Sequence, residues 1–169
     1  CCLPQFDSDS IFCKILDKEI GGNFKIECDD SYIITQKYFK KTCVLQTNFS
    51  NGENEFEVID FMPRFKKENG KYYTPPEIVR ILKLKKGSPI FKVLYDPRLA
   101  FASGNTKTYK KENFIVSIVD DEKYETLFLY SNLDKEAIIN SSEITLNENI
   151  YFVISYNEKI NLPNIDKVF

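Results

Sequence analysis

Apolar and polar residues alternate along most of the chain, which is the pattern of β-strands with one buried face. Turn residues such as Gly, Pro, Asn and Asp separate the alternating runs. The predicted strands are 24–28, 32–39, 42–49, 55–62, 77–85, 89–95, 113–119, 124–130 and 150–156. Roughly eight to eleven short strands separated by turns predict an all-β fold, either an antiparallel β-sandwich or a barrel.

Near the amino terminus the apolar spacing is helical instead. Ser8-Asp9-Ser10 is a typical N-cap sequence, and apolar residues follow at positions 11, 12, 15 and 16. This spacing predicts one short helix near the N-terminus, which ends before Gly21-Gly22.

Two turn signals organise the middle of the chain. Asn51-Gly52 is the strongest of them and predicts a hairpin between the third and fourth predicted strands. In the fourth strand the alternation predicts that Glu55 and Glu57 point to water. The stretch 63–76 is polar and contains Asn69-Gly70, so we expect a long loop there.

Composition narrows the possible functions. The 169 residues are 43% hydrophobic and carry a formal net charge of −2, which suits one domain with one core. This balance disfavours an ordinary nucleic-acid binder, which needs a clustered cationic excess. No apolar run approaches the roughly 18–20 residues of a membrane helix, so the sequence predicts no membrane span.

Two residue types are missing from the chain, and a third is unevenly placed. The sequence has no His and no Trp, and the missing imidazole excludes Ser–His or Cys–His nucleophiles, HExxH zinc sites and histidine acid–base catalysis. Five cysteines lie within the first 43 residues without a CxxC pair. We interpret them mostly as buried thiols in a reducing cytoplasm. No metal ion and no cofactor is predicted.

Carboxylates are numerous, and a glycosidase needs only two of them around the scissile bond. Several acids lie at predicted turns or on outer strand faces, where solvated acids are the usual occupants. These are Glu55, Glu57, Asp120, Asp121 and Glu122. No residue of the chain is therefore predicted to be catalytic.

Asp60 and Arg80 are charged residues inside apolar strands. A hydrogen-bonded carboxylate at position 60 would stabilise a strand end, and we favour that structural role over catalysis. Arg80 lies within the apolar run 78–82, where a guanidinium needs a carboxylate or an interface. Asp60 is a reasonable partner for Arg80, although the sequence leaves their pairing open.

The most distinctive stretch precedes the predicted helix. A Pro, an aromatic residue and a capping sequence make a rigid loop that holds Phe6 and Asp7 in fixed directions. Such loops often face a functional site, although a loop that only packs the helix explains the pattern as well. The candidates for a substrate rim or a domain interface are Pro4, Gln5, Phe6, Asp7 and Ser8.

Several motifs in order resemble the amino-terminal domain of glycoside hydrolase family 15, which contains bacterial and archaeal glucoamylases, glucodextranases and trehalase-like enzymes. They extend over nearly the whole chain. The motifs are Leu3-Pro4-Gln5-Phe6-Asp7-Ser8, Gly21-Gly22, Thr42-Cys43-Val44-Leu45-Gln46-Thr47, Asp60-Phe61-Met62-Pro63, Ile78-Val79-Arg80 and Tyr151-Phe152-Val153-Ile154-Ser155-Tyr156.

The resemblance implies a specific architecture. It implies an antiparallel supersandwich similar to that of galactose mutarotase. In the family this domain precedes an (α/α)6 barrel that carries two catalytic glutamates. Residues 1–157 would be the β-sandwich without the family's first hairpin. Residues 158–169 would begin a linker to a catalytic domain that the chain lacks. Gln5 stands where the family usually has Arg.

The function implied is that of a non-catalytic domain. It would pack on and stabilise the catalytic barrel of an inverting glucoamylase- or trehalase-type hydrolase acting on an α-glucan or trehalose, and could shape the rim of the sugar site. The alternatives are a free-standing carbohydrate-binding module that recognises glucans by Phe and Tyr stacking, and a protein-interaction module. A mutarotase is disfavoured, because that family is expected to use a His.

Overall fold

The computed structural model describes residues 1–102, 104–119 and 125–161, and within them the chain forms thirteen strands and one α-helix. The strands are β1 (Asn23–Glu27), β2 (Ile33–Tyr38), β3 (Leu45–Ser50), β4 (Glu55–Phe61), β5 (Phe65–Lys66), β6 (Tyr72–Tyr73), β7 (Glu77–Lys86), β8 (Ile90–Asp96), β9 (Thr106–Lys110), β10 (Ile115–Val119), β11 (Thr126–Ser131), β12 (Ile144–Thr145) and β13 (Ile150–Tyr156). The helix is α1 (Lys135–Ile139).

The strands form two layers of unequal width. Eight strands make a large sheet in the order β2-β3-β4-β7-β13-β11-β10-β9, and three make a small sheet in the order β1-β8-β12. Neighbouring strands pair antiparallel throughout the described part of the chain. The prediction of an all-β, antiparallel sandwich is confirmed.

The main core lies between the two sheets. Phe152 of β13 is fully buried, and its ring centroid lies 5.4 Å from that of Phe24 on the small sheet. Phe56 of β4 and Phe91 of β8 make a second contact between the layers, at 6.1 Å. Because burial of each such ring stabilises the folded state by roughly 1.5–3 kcal/mol, these contacts hold the layers together.

A second apolar cluster covers the outer face of the large sheet, so the central strands are buried on both sides. Its buried members are Ile59, Val79, Ile81, Val116, Phe128, Tyr130 and Val153. The segment after β13 lies across this face, since the Ile160 N–H donates to the Tyr130 hydroxyl at 3.1 Å and the Lys159 ammonium lies 5.3 Å from the Phe114 ring centroid. Central strands that are buried on both faces have nearly continuous apolar sequences.

This outer cluster corrects the prediction for Glu57. Glu57 is only 6% exposed, although the alternation pattern predicts a solvated acid at this position. The carboxylate accepts a hydrogen bond from the Gln46 side chain and pairs with the Lys85 ammonium at 2.9 Å. The alternation predicts the outer face correctly, but the outer cluster covers that face. A buried carboxylate therefore needs partners such as Gln46 and Lys85.

The helix predicted near the N-terminus is wrong. Residues 11–20 form turns, and the helix of the described residues is α1, near the other end. The backbone groups that a helix would use are already paired, because the Arg98 N–H donates to the Ile11 carbonyl at 3.0 Å and the Lys14 N–H donates to the Gly22 carbonyl at 3.1 Å. Within the described residues no helix is long and apolar enough to cross a membrane.

The predicted turns are confirmed in part. The Asn51-Gly52 signal joins β3 to β4 as predicted, with a φ of +88° at Gly52. The stretch 63–76 is not only a loop, because β5 and β6 form a short hairpin that turns at Asn69-Gly70. The predicted solvated acids Asp120, Asp121 and Glu122, and residues 162–169 of the predicted linker, lie outside the described residues.

Candidate functional site

The amino-terminal segment is anchored to the sandwich at both ends of its first loop. Leu3 and Ile11 are each 1% exposed and belong to the main core. Between them Cys2 pairs with Ser10 in an isolated antiparallel bridge, and the Ile11 N–H donates to the Cys1 carbonyl at 2.8 Å. The loop 4–9 therefore starts and ends on a fixed base.

The predicted residues Pro4, Gln5, Phe6, Asp7 and Ser8 lie in this loop. The Ser8 N–H donates to the Gln5 carbonyl, and the Gln5 N–H donates to the Ser8 hydroxyl, each at 3.2 Å. Four of the five residues are exposed, and Ser8 is half-buried. Phe6 is 93% exposed. These two reciprocal hydrogen bonds close a turn that presents an aromatic ring to the outside.

The next turns, which lead to Gly21, also present apolar side chains. The Asp17 carboxylate accepts hydrogen bonds from the N–H groups of Ile20 at 3.0 Å and Glu19 at 2.9 Å. These two bonds lower the pKa of Asp17. A side chain at Gly21 would collide with the carbonyl oxygens of Asp17 and Cys13, so only glycine allows this close approach of the backbone.

A left-handed turn at Ala100–Ala102 completes the surface. Its three residues have φ values of +50°, +54° and +58°, a conformation that costs roughly 1–2 kcal/mol for each non-glycine residue. The turn is fixed by hydrogen bonds from Ala102 N–H to the Leu99 carbonyl and from Leu99 N–H to the Thr106 hydroxyl, each at 3.0 Å. Phe101 at its tip is 61% exposed.

The two turn regions meet around a shallow hollow of about 190 Å³. It is lined by Ser10, Cys13, Leu16, Asp17, Ile20, Gly21, Arg98, Phe101 and Ala102. We use the term amino-terminal surface for the large exposed apolar side chains in and beside these turns. They are Phe6, Ile15, Leu16, Ile20 and Phe101, with exposures of 93%, 94%, 83%, 55% and 61%.

The chemistry of this surface favours contact and not catalysis. Arg98 is already paired with the Asp96 carboxylate, at 3.1 Å from Nε to Oδ1. No cluster of three or more His, Cys, Asp or Glu side chains that could hold a metal occurs in the described ranges. An exposed group of large apolar side chains typically marks an interaction site.

Asp60 and Arg80 lie away from this surface, and the structure pairs them. Arg80 Nε and Nη2 donate to the two Asp60 carboxylate oxygens at 2.7 and 3.1 Å. The Nη1 group donates to the Phe24 carbonyl at 2.7 Å, and the guanidinium carbon lies 4.4 Å from the Phe24 ring centroid. Arg80 thus joins β7 of the large sheet to β1 of the small one.

The five cysteines differ from the expectation of buried thiols. All are free: Cys1 and Cys43 are exposed, and the other three are half-buried. Burial raises the pKa of the Cys28 thiol to about 12, and the neighbouring Asp29 and Glu27 carboxylates act in the same direction. A thiol with so high a pKa is protonated at neutral pH and is therefore a poor nucleophile.

Sequence reasoning missed most of the amino-terminal surface. Pro4 to Ser8 were candidates, but none of them lines the hollow. The spacing of Ile15 and Leu16 predicts the apolar face of a helix, whereas both side chains are exposed. Phe101 follows the Asp96-Pro97 turn, and no local pattern indicates that its side chain is exposed.

Comparison with known proteins identifies the family. A family model described as "Trehalase-like, N-terminal" matches residues 1–127. Trehalase 2 of Sulfolobus acidocaldarius is 31% identical over 145 residues, which cover 86% of this chain and 22% of the relative. A trehalase of Thermoplasma volcanium is 34% identical over 151 residues, covering 88% of this chain and 22% of the relative.

The extent of these matches matters for interpretation. A trehalase of Thermoplasma acidophilum is 29% identical over 158 residues and shares the same pattern, with 86% of this chain and 27% of the relative covered. The chain spans about a fifth to a quarter of the length of these curated relatives. No solved structure matches it. The family match extends over most of the chain and confirms the resemblance seen in its motifs, so the chain belongs to the family of trehalase-like N-terminal domains.

Proposed function

We propose that the chain is the non-catalytic amino-terminal domain of a cytoplasmic family 15 glycoside hydrolase of the trehalase or glucoamylase type. Its relatives are named trehalases and are more than three times longer than the matched region. The catalytic carboxylates would then lie in an (α/α)6 barrel of the same polypeptide. The carboxylates of Asp60 and Glu57, which lie inside apolar strands, are paired with Arg80 and Lys85.

The role of the domain is to pack against the barrel and stabilise it through the amino-terminal surface. The observation that carries this proposal is the exposure of five large apolar side chains on turns that are themselves fixed by hydrogen bonds. Covering one Leu, Ile or Phe side chain stabilises a complex by roughly 1.5–3 kcal/mol. A surface of this kind contributes to stability only when a partner covers it.

The loop with Pro4, Gln5, Phe6, Asp7 and Ser8 extends this role to the sugar site. It lies beside the turns of the amino-terminal surface in sequence, and its base is anchored while its tip is exposed. We expect the loop to border the site for trehalose or an α-glucan once the barrel is in place. Phe6 would supply an apolar face for contact with a sugar or with the barrel.

The test compares two serine substitutions in the complete polypeptide that contains this chain. Leu16→Ser lies on the amino-terminal surface, where Leu16 is 83% exposed, whereas Ile33→Ser lies on β2 at a comparable exposure of 72%. We expect Leu16→Ser to lower the free energy of unfolding by about 1.5–3 kcal/mol and Ile33→Ser by less than about 0.5 kcal/mol. Equal losses in thermal or urea unfolding would contradict the proposed interface.

Activity and binding measurements separate the remaining functions. We expect the chain by itself to hydrolyse neither trehalose, maltose nor dextrin. Calorimetric titration of the chain with these sugars is expected to be flat. Turnover that disappears when one of its own carboxylates is replaced would overturn the non-catalytic role, and millimolar or tighter binding would favour a carbohydrate-binding module.

A further inference from the structure

The two edges of the large sheet are protected to different degrees. At one edge β9 carries Lys107 and Lys110, and the Lys110 ammonium pairs with Glu136 of α1. At the other edge all six residues of β2 are exposed, and among the described residues only β3 pairs with this strand. Lysines and covering elements are common means by which proteins keep a sheet edge from pairing with another chain. The β2 edge is therefore the more open of the two.

The free backbone groups of β2 can be assigned from the adjoining hairpin. The Phe39 N–H donates to the Val44 carbonyl at 3.0 Å, so the backbone groups of Phe39 point toward β3. In an antiparallel pair this direction alternates along the strand. The odd-numbered residues of β2 share the direction of Phe39, because the register with β3 is regular. The N–H and C=O groups of Ile34, Gln36 and Tyr38 consequently point away from the sheet.

The side chains of this edge are apolar near both ends of the strand. On the inner face Ile34 is 56% exposed at the start of β2, and Tyr38 is 65% exposed at its end. On the outer face Ile33 and the adjoining Phe39 are 72% and 38% exposed. Each face thus has an isoleucine at one end and an aromatic ring at the other.

An antiparallel pair of two β2 strands brings these unlike ends together. With Gln36 opposite Gln36 of the second copy, every residue with free backbone groups meets another such residue. Ile34 then lies opposite Tyr38 of the second copy on the inner face. Ile33 lies opposite Phe39 of the second copy on the outer face. Pairs of a β-branched and an aromatic residue stabilise antiparallel strands, and a two-fold axis forms each pair twice.

The charges that flank β2 fit the same arrangement. Asp29-Asp30 precede the strand and Lys40-Lys41 follow it, and all four residues are exposed. No ion pair among the described residues includes them. Antiparallel pairing places the basic end of each copy beside the acidic end of the other. Within the strand, Lys37 lies opposite Thr35 of the second copy and not opposite another lysine.

We propose that two copies of the protein associate through β2 and form one continuous sheet, with eight strands from each copy. A second copy is the occupant because the apolar residues and the flanking charges of β2 are complementary to themselves in antiparallel pairing. The dimer does not depend on the packing of the barrel, which is proposed for the amino-terminal surface. The comparison of Leu16→Ser with Ile33→Ser is accordingly made below the dissociation constant of the dimer, where Ile33 is exposed.

The oligomeric state of the complete polypeptide that contains this chain is the first test. We expect analytical ultracentrifugation at micromolar concentration to give twice the mass of one copy. Ile34→Arg places a charge at the centre of the interface and should raise the dissociation constant at least about tenfold. Ile90→Arg, on β8 at a similar exposure of 51%, is the matched control and should leave it unchanged. A monomer, or equal effects of the two substitutions, would overturn the proposal.

Disulfide cross-linking tests the register. Opposite residues whose backbones exchange hydrogen bonds have Cα atoms about 5.5 Å apart, which a disulfide can span. We expect Gln36→Cys to link two copies through position 36 on oxidation in air, with the linked peptide identified by mass spectrometry. Ile33→Cys is the control, because the two copies of position 33 lie roughly 20 Å apart in this register. Equal cross-linking at both positions, or none at position 36, would contradict the pairing.

A charge exchange tests the ends of the strand without changing its backbone. Lys41→Glu places a carboxylate beside Asp30 of the second copy, and we expect the dissociation constant to rise at least about threefold at low salt. Asp30→Lys combined with Lys41→Glu should restore it to within about twofold, because the charges are opposite again. A double variant that associates no better than Lys41→Glu alone would contradict the antiparallel arrangement.

Amide hydrogen exchange identifies the occupant of the edge. We expect the amides of Ile34, Gln36 and Tyr38 to lose their protection when the polypeptide is diluted below the dissociation constant of the dimer. Protection that persists at every dilution, together with the mass of one copy, would mean that another part of the polypeptide covers β2. That result would overturn the dimer and leave the role of the amino-terminal surface unaffected.

Discussion

The main core and the amino-terminal surface use the same residue types in opposite ways. Phe56 and Phe152 are 0% exposed between the two sheets, whereas Phe6 and Ile15 are 93% and 94% exposed. Both regions have an ordered backbone, the core through strand pairing and the turns through their own hydrogen bonds. The exposure of the amino-terminal surface is therefore not a consequence of missing local structure.

The two regions therefore contribute to the free energy of unfolding under different conditions. The residues of the main core are buried by other residues of the same chain, so they stabilise the chain regardless of any partner. The side chains of the amino-terminal surface are covered only in part by their own chain, and under the proposed function they contribute most of their stabilisation when the barrel covers them. Substitutions in the two regions should consequently respond differently to the presence of the remaining polypeptide.

The largest expected effect comes from the core. Phe152→Ala removes the ring that contacts Phe24 across the two layers, at 5.4 Å between centroids. We expect it to lower the free energy of unfolding of the chain by about 3–5 kcal/mol, because a cavity replaces the ring. Urea unfolding measures this loss. Phe6→Ala is the matched control and should change stability by less than about 0.5 kcal/mol. Similar losses for both variants would contradict the difference between the core and the amino-terminal surface.

The next effect concerns the polar link between the layers. Arg80→Met removes the bidentate partner of Asp60 and the donor to the Phe24 carbonyl. We expect a loss of about 1–3 kcal/mol, since the Asp60 carboxylate is left partly buried without its partner. The measurement is urea unfolding of the single and double variants.

A double-mutant cycle with Asp60→Asn sharpens this prediction. If the pair acts as a unit, Asp60→Asn combined with Arg80→Met should cost less than the sum of the two single losses. Strict additivity would show that Arg80 stabilises the fold through its contact with Phe24 and not through Asp60.

A smaller effect of opposite sign is expected at the left-handed turn. Phe101→Gly removes a side chain at a φ of +54°, where glycine is tolerated without strain. We expect the chain alone to gain about 1 kcal/mol in unfolding free energy. The complete polypeptide should lose stability instead, because the contact with the barrel disappears. Thermal unfolding of both forms measures these changes, and a gain of the same size in both would contradict the proposed contact.

The sequence predicted the strands well because their alternation reflects a simple geometric constraint. A half-buried strand repeats every two residues, and the Asn51-Gly52 hairpin follows from local backbone preferences. It failed at Ile15 and Leu16, where the apolar spacing resembles a helix but the segment forms turns, because Ile11 and Lys14 pair with Arg98 and Gly22. The pairing of Arg98 with Ile11 joins positions far apart in sequence, which no local pattern contains.

The candidate site was predicted less well for the same physical reason. The Pro4–Ser8 loop was recognisable because Pro, an aromatic residue and a cap occur together. Phe101 and Leu16 meet only through tertiary folding, so the sequence could not place them around one hollow. Glu57 shows the related limit that alternation predicts the face of a residue but not whether that face is covered.

One buried acid is expected to lower the free energy of unfolding of the strands at neutral pH. Glu77 at the start of β7 is 8% exposed, and the Tyr73 hydroxyl donates to its carboxylate at 3.4 Å. Burial raises the pKa of Glu77, and the Glu158 carboxylate acts in the same direction, while the hydrogen bond from Tyr73 opposes them. The folded chain therefore binds this proton more tightly than the unfolded chain does.

The sign of the resulting pH dependence follows from this raised pKa. Glu77 contributes its full stability below the unfolded pKa of about 4.3, and this contribution is lost as the pH rises through the raised folded value. We expect Glu77→Gln to increase the unfolding free energy at pH 7 and to reduce its decline above about pH 4.3. This is the smallest effect of the series, and urea unfolding across pH measures it. Glu53→Gln, at an exposed turn, is the control and should leave the profile unchanged. A loss of stability at pH 7 in Glu77→Gln would contradict this prediction, because it would mean that the ionised Glu77 carboxylate stabilises β7.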